Sequence, residues 1–344
     1  MVVNRVLDLV GKTPLLRLQL SNCKWDVFCK LEKFNPGGSM KDRMALNMIN
    51  EAEKNGKLRP GGTIIESSSG NTAIGLAIAS AIKGYKFIAV VDHHASPEKI
   101  KMIKAYGGQI VVVGDGYPAN EVAVIEREQT ARAISETMEN AFYPNQADNY
   151  ANRAAYIDTL ATELIEELGN IDEIFGAIGT GGSLCGTAMG LKKQGRNTLV
   201  TAVEPEGSII FGGDGKPYFQ SGTGNPIGAS IPQIIDYSLI DYNLYSTDAE
   251  AFNTCRFFAK NYGLLIGGSA GGVLYKAIES LIKKKGKGIA AIILCDGGER
   301  YLDTVFNDEW MNKNHLMDDC ISRNLRDWLR GMNNGLISMG KRSI

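Results

Sequence analysis

The residue of this chain best suited to covalent chemistry is Lys41, in the segment NPGGSMKDR (35–43). Gly37 and Gly38 predict a tight turn at positive φ, a conformation that glycine adopts without steric cost. Ser39 is then expected to cap a helix that begins at Met40. A lysine just inside a helix start sits beside the positive end of the helix dipole, which favours a neutral, nucleophilic amine. On spacing alone the same lysine reads as a solvated charge; the loops further along the chain decide between the two.

Three further constellations follow. ESSSGNTAIGLA (66–77) comes after a strand-like run and opens a helical one. Ser68, Ser69, Asn71 and Thr72 offer hydroxyls, an amide and backbone N–H groups at a helix N-terminus, an arrangement suited to a carboxylate. The bland alternative is a capped turn, but three serines and an asparagine exceed what a turn requires. GTGGSLCG (179–186) repeats the strand–loop–helix pattern with glycines. Gly179, Gly181 and Gly182 let the backbone approach a ligand, and Thr180 and Ser183 add hydroxyls, which together can cradle a phosphate. This is neither a Walker A loop nor a G-x-G-x-x-G fingerprint. Finally, IGGSAGG (266–272) and CDGGERY (295–301) are both expected to follow strand-like runs and to close a pocket wall. Ser269 or Cys295 could bond a pyridine nitrogen as a neutral partner; plain structural turns are the other reading.

Alternating elements must position these loops. TIIES (63–67), KFIAVVD (86–92), GQIVVVG (108–114), EIFGAIG (173–179), TLVTAVEPE (198–206) and GIAAIILCD (288–296) read as buried strands. Between them, helices are expected over 71–84, 96–107 (Ser96 as cap, Pro97 at the first helical position, Gly107 as stop), 147–169 and 271–286. Strands alternating with helices argue for an α/β protein with mostly parallel sheets covered on both faces. Two such units are expected, one over 40–145 and one combining 1–39 with 146–310, followed by a tail, 311–344, in which ISRNLRDWLRGM (321–332) reads as an amphipathic helix.

Composition narrows the field. The 344 residues are 44% apolar, and the formal net charge is −1, so neither a nucleic-acid footprint nor a basic membrane patch is indicated. No run reaches the roughly 18 to 20 apolar residues of a membrane helix, and the N-terminus lacks the pattern of a signal peptide. A soluble cytoplasmic protein is the expectation. The six cysteines contain no C-x-x-C pair and there are only three histidines, so no metal site is expected and the thiols are read as free.

The ordered set GKTPLLRL (11–18), KLEKFNPGGSMKDR, SSSGNT, GTGGS, IGGSAGG and DGGERYLDTVF resembles the blocks of the cysteine synthase / cystathionine β-synthase family of fold-type II pyridoxal 5′-phosphate (PLP) enzymes, over about residues 5–310. The resemblance implies a tryptophan synthase β-like fold. Its two parallel-sheet α/β domains, a large PLP-binding one (1–39 plus 146–310) and a small substrate-side one (40–145), hold the cofactor between them, in a homodimer. It further implies Lys41 as Schiff-base lysine and base, Asn71 on the cofactor's 3′-oxygen, and Gly179, Thr180, Gly181, Gly182 and Ser183 as phosphate cradle. Ser269 becomes the pyridine-nitrogen partner, with Cys295 where some sulfhydrylases place a thiol. Ser68, Ser69, Thr72 and Gln146 become the substrate-carboxylate site, and Gly228 faces the substrate amine. The implied reaction is β-replacement on an activated serine through an α-aminoacrylate.

Within that family, EPEGSIIFGG…PIGASIPQII (204–235) and DGGERYLDTVFNDEW (296–310) look most like the N-(2-amino-2-carboxyethyl)-L-glutamate synthases of siderophore biosynthesis. Those enzymes join O-phosphoserine to glutamate. Arg127 aligns with a substrate-binding arginine of that group and also reads as a solvated helix charge. Ala147 stands where the group has tyrosine, and GTGGS differs from its Ser/Thr-rich phosphate loop. An O-acetylserine sulfhydrylase, or a cysteine/serine β-exchange enzyme releasing hydrogen sulfide, is the alternative within the family. A non-catalytic binding protein on the same fold is the alternative outside it.

Overall fold

The structure, a computed structural model, describes residues 2–116 and 123–329. Its strands are β1 (Leu15–Leu18), β2 (Trp25–Leu31), β3 (Thr63–Ser67), β4 (Lys86–Asp92), β5 (Gln109–Val113), β6 (Ala141–Phe142), β7 (Glu173–Ala177), β8 (Leu199–Pro205), β9 (Tyr242–Ser246) and β10 (Gly288–Leu294). They form a six-stranded sheet in the order β1-β2-β10-β7-β8-β9 and a four-stranded sheet in the order β5-β4-β3-β6. Every pairing is parallel except β1 with β2. This is the α/β architecture with mostly parallel sheets that the sequence predicts. Parallel pairing needs crossovers, and the crossovers here are helices. The central strand β7, EIFGA, is accordingly buried at all five positions.

One apolar cluster runs from the small sheet to the large one. Ile64 and Val91 of the first and Ile174 and Ile293 of the second are joined through Met44 and Ile49 of helix Lys41–Lys54, Ile74 of helix Asn71–Lys83 and the fully buried Tyr156. A second cluster packs helices Asp248–Tyr262 and Gly268–Leu281 on the other face of the large sheet, with Phe175, Phe252, Phe258 and Ile292 at its centre. Helix Asp319–Trp328 buries Ile321 and Leu325 in this second cluster, and the backbone bridge Leu20–Leu329 ties its end to the N-terminal segment. The expected amphipathic helix is therefore present over those residues; the part of its segment after 329 lies outside the described residues.

Several local expectations need correction. The helix that holds Lys41 starts one residue later than expected, at Lys41 with Met40 in helical backbone angles before it, while the Ser39 hydroxyl accepts from Lys41 N–H at 3.3 Å. Of the two glycines before it, only Gly38 has positive φ, at 74°. The single helix expected over 147–169 is two, Tyr150–Ile157 and Leu160–Leu168. Thr159 breaks it with φ −114° and ψ −80°, its hydroxyl donating to the Ala155 carbonyl in place of a ladder bond. IGGSAGG follows a helix and a loop, not a strand; an isolated bridge, Ile266–Gly297, is its only sheet-like contact among the described residues. No helix is long and apolar enough to cross a membrane, among the described residues.

Candidate active site

Lys41 is the first residue of its helix, and the loop before it is pinned on two sides. Met40 N–H donates to the Cys295 carbonyl at 2.9 Å and Gly297 N–H donates to the Gly38 carbonyl at 3.2 Å. Gly37 N–H donates to the Asp42 carboxylate, and a Cβ on Gly37 would collide with that carboxylate. Behind the helix lies a buried ionic network. The Arg43 guanidinium forks onto Glu32 (2.7 and 2.8 Å) and Glu163 (2.6 and 2.8 Å), while Lys30 pairs with Glu163 at 2.9 Å. Thr13, of the GKTP segment, donates its hydroxyl to Glu32 at 2.6 Å. That segment thus serves to hold the lysine's helix in place.

The serine loop connects β3 to helix Asn71–Lys83. Thr72 donates its hydroxyl to Gln146 Oε1 at 2.6 Å, and Gly70 N–H donates to Ser68 Oγ at 3.2 Å. Glu66, at the end of β3, is 1% exposed and accepts from Ser67 N–H at 2.9 Å and Gln146 N–H at 3.3 Å. Burial pushes its carboxyl up to about 8. Asn71 is held at both ends of its amide: Nδ2 donates to Asp296 at 2.8 Å and Oδ1 accepts from Arg300 at 2.6 Å. Arg300 also donates to the Gly37 and Gly38 carbonyls, so it couples Asn71 to the lysine loop.

The glycine loop connects β7 to helix Gly182–Lys193. Gly181 has φ 79°, and a Cβ there would come to 2.6 Å from Ile235 Cγ1. A Cβ on Gly182 would fall inside the van der Waals surface of Asn152 Oδ1. Asn152 is fully buried; its amide donates to the Gln146 carbonyl at 2.7 Å and to Thr180 Oγ1 at 3.2 Å, and its Oδ1 has no partner among the described residues. This asparagine joins the glycine loop to Gln146 and, through the Thr72–Gln146 bond, to the serine loop, and no sequence motif marks it.

These parts meet at a cavity of about 390 Å³ whose wall includes Lys41, Ser68, Ser69, Asn71, Thr72, Gln146, Gly179 and Thr180. Gly181, Gly182 and Ser183 are not brought to that wall: Gly181 is the cap residue and Gly182 and Ser183 open the helix that follows. Ser269, 4% exposed in the first turn of helix Gly268–Leu281, lies beside the Cys295 thiol. Burial pushes that thiol up to about 11, with the nearby Lys41 charge pulling the other way, so both groups are neutral. Ala147 and Arg127 also line the cavity. Arg127 is not a solvated charge: its side chain is 15% exposed and it pairs with Asp92 at 3.4 Å. Gly228 is not brought to this wall; it sits exposed at φ 84°, while Pro226 and Ala229 on either side of it line the cavity. Residues that sequence reasoning passed over are Glu66, Asn152, Asp296 and Arg300. The last two sit inside DGGERY, a run read as a closing wall, a structural turn and a block of the family resemblance, with neither residue singled out.

A sequence profile described as "Pyridoxal-phosphate dependent enzyme" matches residues 6–296. A protein of Sinorhizobium fredii provisionally named a cysteine synthase is 46% identical over 332 residues, covering 96% of this chain and 98% of its own length. Among solved structures, O-ureido-L-serine synthase superposes with a TM-score of 0.81 at 32% identity, covering 91% of this chain and 100% of its own. A hydrogen sulfide-producing enzyme from Fusobacterium nucleatum gives 0.79 at 34% identity, covering 88% and 100%.

Proposed function

The chain belongs to the pyridoxal-phosphate dependent enzyme family, its cofactor is PLP, and from that premise we propose that it replaces the β-substituent of O-phosphoserine or O-acetylserine with an amino-acid nucleophile such as glutamate. The product class is that of the N-(2-amino-2-carboxyethyl)-L-glutamate synthases, which feed siderophore assembly, and we read the working form as a cytoplasmic homodimer. The observation that carries this reading is the meeting of three unlike groups on one cavity: an amine at a helix start, a hydroxyl-rich loop and a glycine loop.

The residues fit the cofactor. The glycine loop turns so closely against the protein that a Cβ on Gly181 or Gly182 would strike Ile235 or Asn152, and the first N–H groups of helix Gly182–Lys193, which have no intrahelical partners, form a cradle. That cradle, with Thr180 and Ser183, would take the phosphate. Ser269 and Cys295 would offer the pyridine nitrogen a neutral partner. Lys41 would hold the cofactor covalently. Bound there, the cofactor supplies an electron sink for charge developing at the substrate Cα. The remaining work belongs to the chain. Ser68, Ser69, Thr72 and Gln146 orient the substrate carboxylate. Lys41, once its amine is free, would take the proton from Cα as the β-substituent departs with the electron pair of its bond to Cβ, and would return a proton to Cα after the nucleophile has added at Cβ. Arg127 stands on the cavity wall where a second anion, such as a phosphate leaving group, would lie.

The purified protein should carry a visible absorbance band that Lys41→Ala abolishes, together with at least about 10⁴-fold of its activity. Incubation with either serine ester and then with sulfide, cysteine or glutamate, with the product weighed by mass spectrometry, identifies the reaction. Cysteine formed from sulfide with no glutamate adduct would replace this reading with the sulfhydrylase one.

A further inference from the structure

A second cavity, of about 550 Å³, shares Ser69, Gly70 and Ser221 with the first. Its wall also carries Lys99, from helix Pro97–Ala105, together with Arg300, Tyr301 and Trp310. Lys99 is 6% exposed. Its ammonium donates to Ser221 Oγ at 3.3 Å and lies 5.0 Å from the centre of the Tyr301 ring, and among the described residues it makes no ion pair. Burying a charge without a counterion is costly, and the cost is relieved when an anion arrives. The acids nearby are otherwise engaged or remote. Asp296 accepts from Asn71 and from Tyr301 through Oδ2 alone (2.8 and 2.7 Å) and acts on Lys99 from beyond ion-pair distance, its Oδ1 having no partner among the described residues; Glu98 accepts from Ser96 at 2.7 Å, and Asp303 is exposed. Arg300 has its guanidinium committed to Gly37, Gly38 and Asn71. Glu98 and Asp303 line the cavity as well, yet neither pairs with Lys99.

We propose that the cavity is the seat of the nucleophilic second substrate, and that Lys99 is a specificity residue that receives its carboxylate while the nucleophilic atom reaches the first cavity past Ser69, Gly70 and Ser221. The proposal rests on the reading of the enzyme as one with an amino-acid nucleophile. It explains why an amine is buried at the junction of the two cavities and not at the surface, where most lysines lie.

The test separates the two half-reactions. Enzyme loaded with cofactor is first reacted with the serine ester, followed by absorbance, and then mixed with L-cysteine, cysteamine or sulfide. Cysteine and cysteamine share the thiol and differ in the carboxylate. Wild type should favour cysteine, and Lys99→Met should reduce that preference about tenfold or more through KM, since a hydrogen bond to a charged group is worth about 1.5–3 kcal/mol. Sulfide and the first half-reaction should be unchanged, and Lys99→Arg should keep most of the preference. Calorimetric titration with glutarate should weaken by a similar factor in Lys99→Met. A cysteine preference equal in wild type and Lys99→Met, or a wild type with none, overturns the subsite. Absence of any reaction with either serine ester instead defeats the β-replacement reading itself.

Discussion

The serine loop and the glycine loop are built to one plan, a parallel strand turning into a helix, yet they are constrained in opposite ways. In the glycine loop the backbone is hemmed in: added methyl groups at Gly181 and Gly182 would strike Ile235 and Asn152, and one at Gly179 would press on the Gly222 carbonyl at 3.4 Å. In the serine loop the backbone has room, since a Cβ on Gly70 would meet nothing closer than Ser68 Oγ at 4.0 Å. Its order comes from side chains, Thr72 on Gln146 and Glu66 on two backbone N–H groups. A loop fixed by packing suits a group that never changes, such as a phosphate. A loop fixed by side chains can be retuned for a different substrate.

Four substitutions test this contrast, in falling order of effect. Gly182→Ala should weaken cofactor binding by about 10- to 100-fold, the equivalent of about 1–3 kcal/mol of overpacking, read from titration of the visible band. Undiminished affinity would mean the cradle is slack. Thr72→Val should raise the KM for the serine ester about tenfold while leaving cofactor affinity alone, because it removes a hydroxyl from the carboxylate side only.

Glu66→Gln addresses pH. With its carboxyl raised by burial from 4.5 to about 8, the native protein holds a proton that the unfolded chain has lost across that window. The unfolded state then binds fewer protons, so stability falls as pH rises from 4.5 towards 8. Chemical denaturation at several pH values should show a flatter profile for Glu66→Gln than for wild type. Gly70→Ala should change turnover and stability least, by less than about 1 kcal/mol; a large loss would show that the serine loop needs its glycine after all.

Much of the site was legible because its signals are local. Gly-rich or Ser-rich turns between an apolar run and a helical one mark strand-to-helix junctions, and Lys41, the serine loop and the glycine loop are all of that kind. What escaped notice depends on distant partners. β2 is a central strand, yet its sequence WDVFCKL carries Lys30, whose charge disguises it. That lysine is completely buried because Glu163 and the Thr13 carbonyl, far along or outside the strand, receive it. Edge strands β6 and β9 are short or half exposed, so their pattern is weak. Asn152 looks like any helical asparagine until its two hydrogen bonds are seen. Arg300 lies in a recognised motif, but its partners Gly37 and Asn71 lie more than two hundred residues earlier in the chain.

The asparagine between the loops has a thermodynamic consequence. By binding the Gln146 carbonyl with one hydrogen and the Thr180 hydroxyl with the other, Asn152 makes the order of one loop part of the order of the other. Linkage is reciprocal: if an occupied glycine loop tightens the hold on a substrate carboxylate, the carboxylate must tighten the hold on the phosphate by the same factor. The dissociation constant of the cofactor, measured with and without a saturating unreactive amino acid, gives that factor, and Asn152→Ala should bring it towards one. An enzyme coupled in this way keeps its cofactor most firmly while it is working.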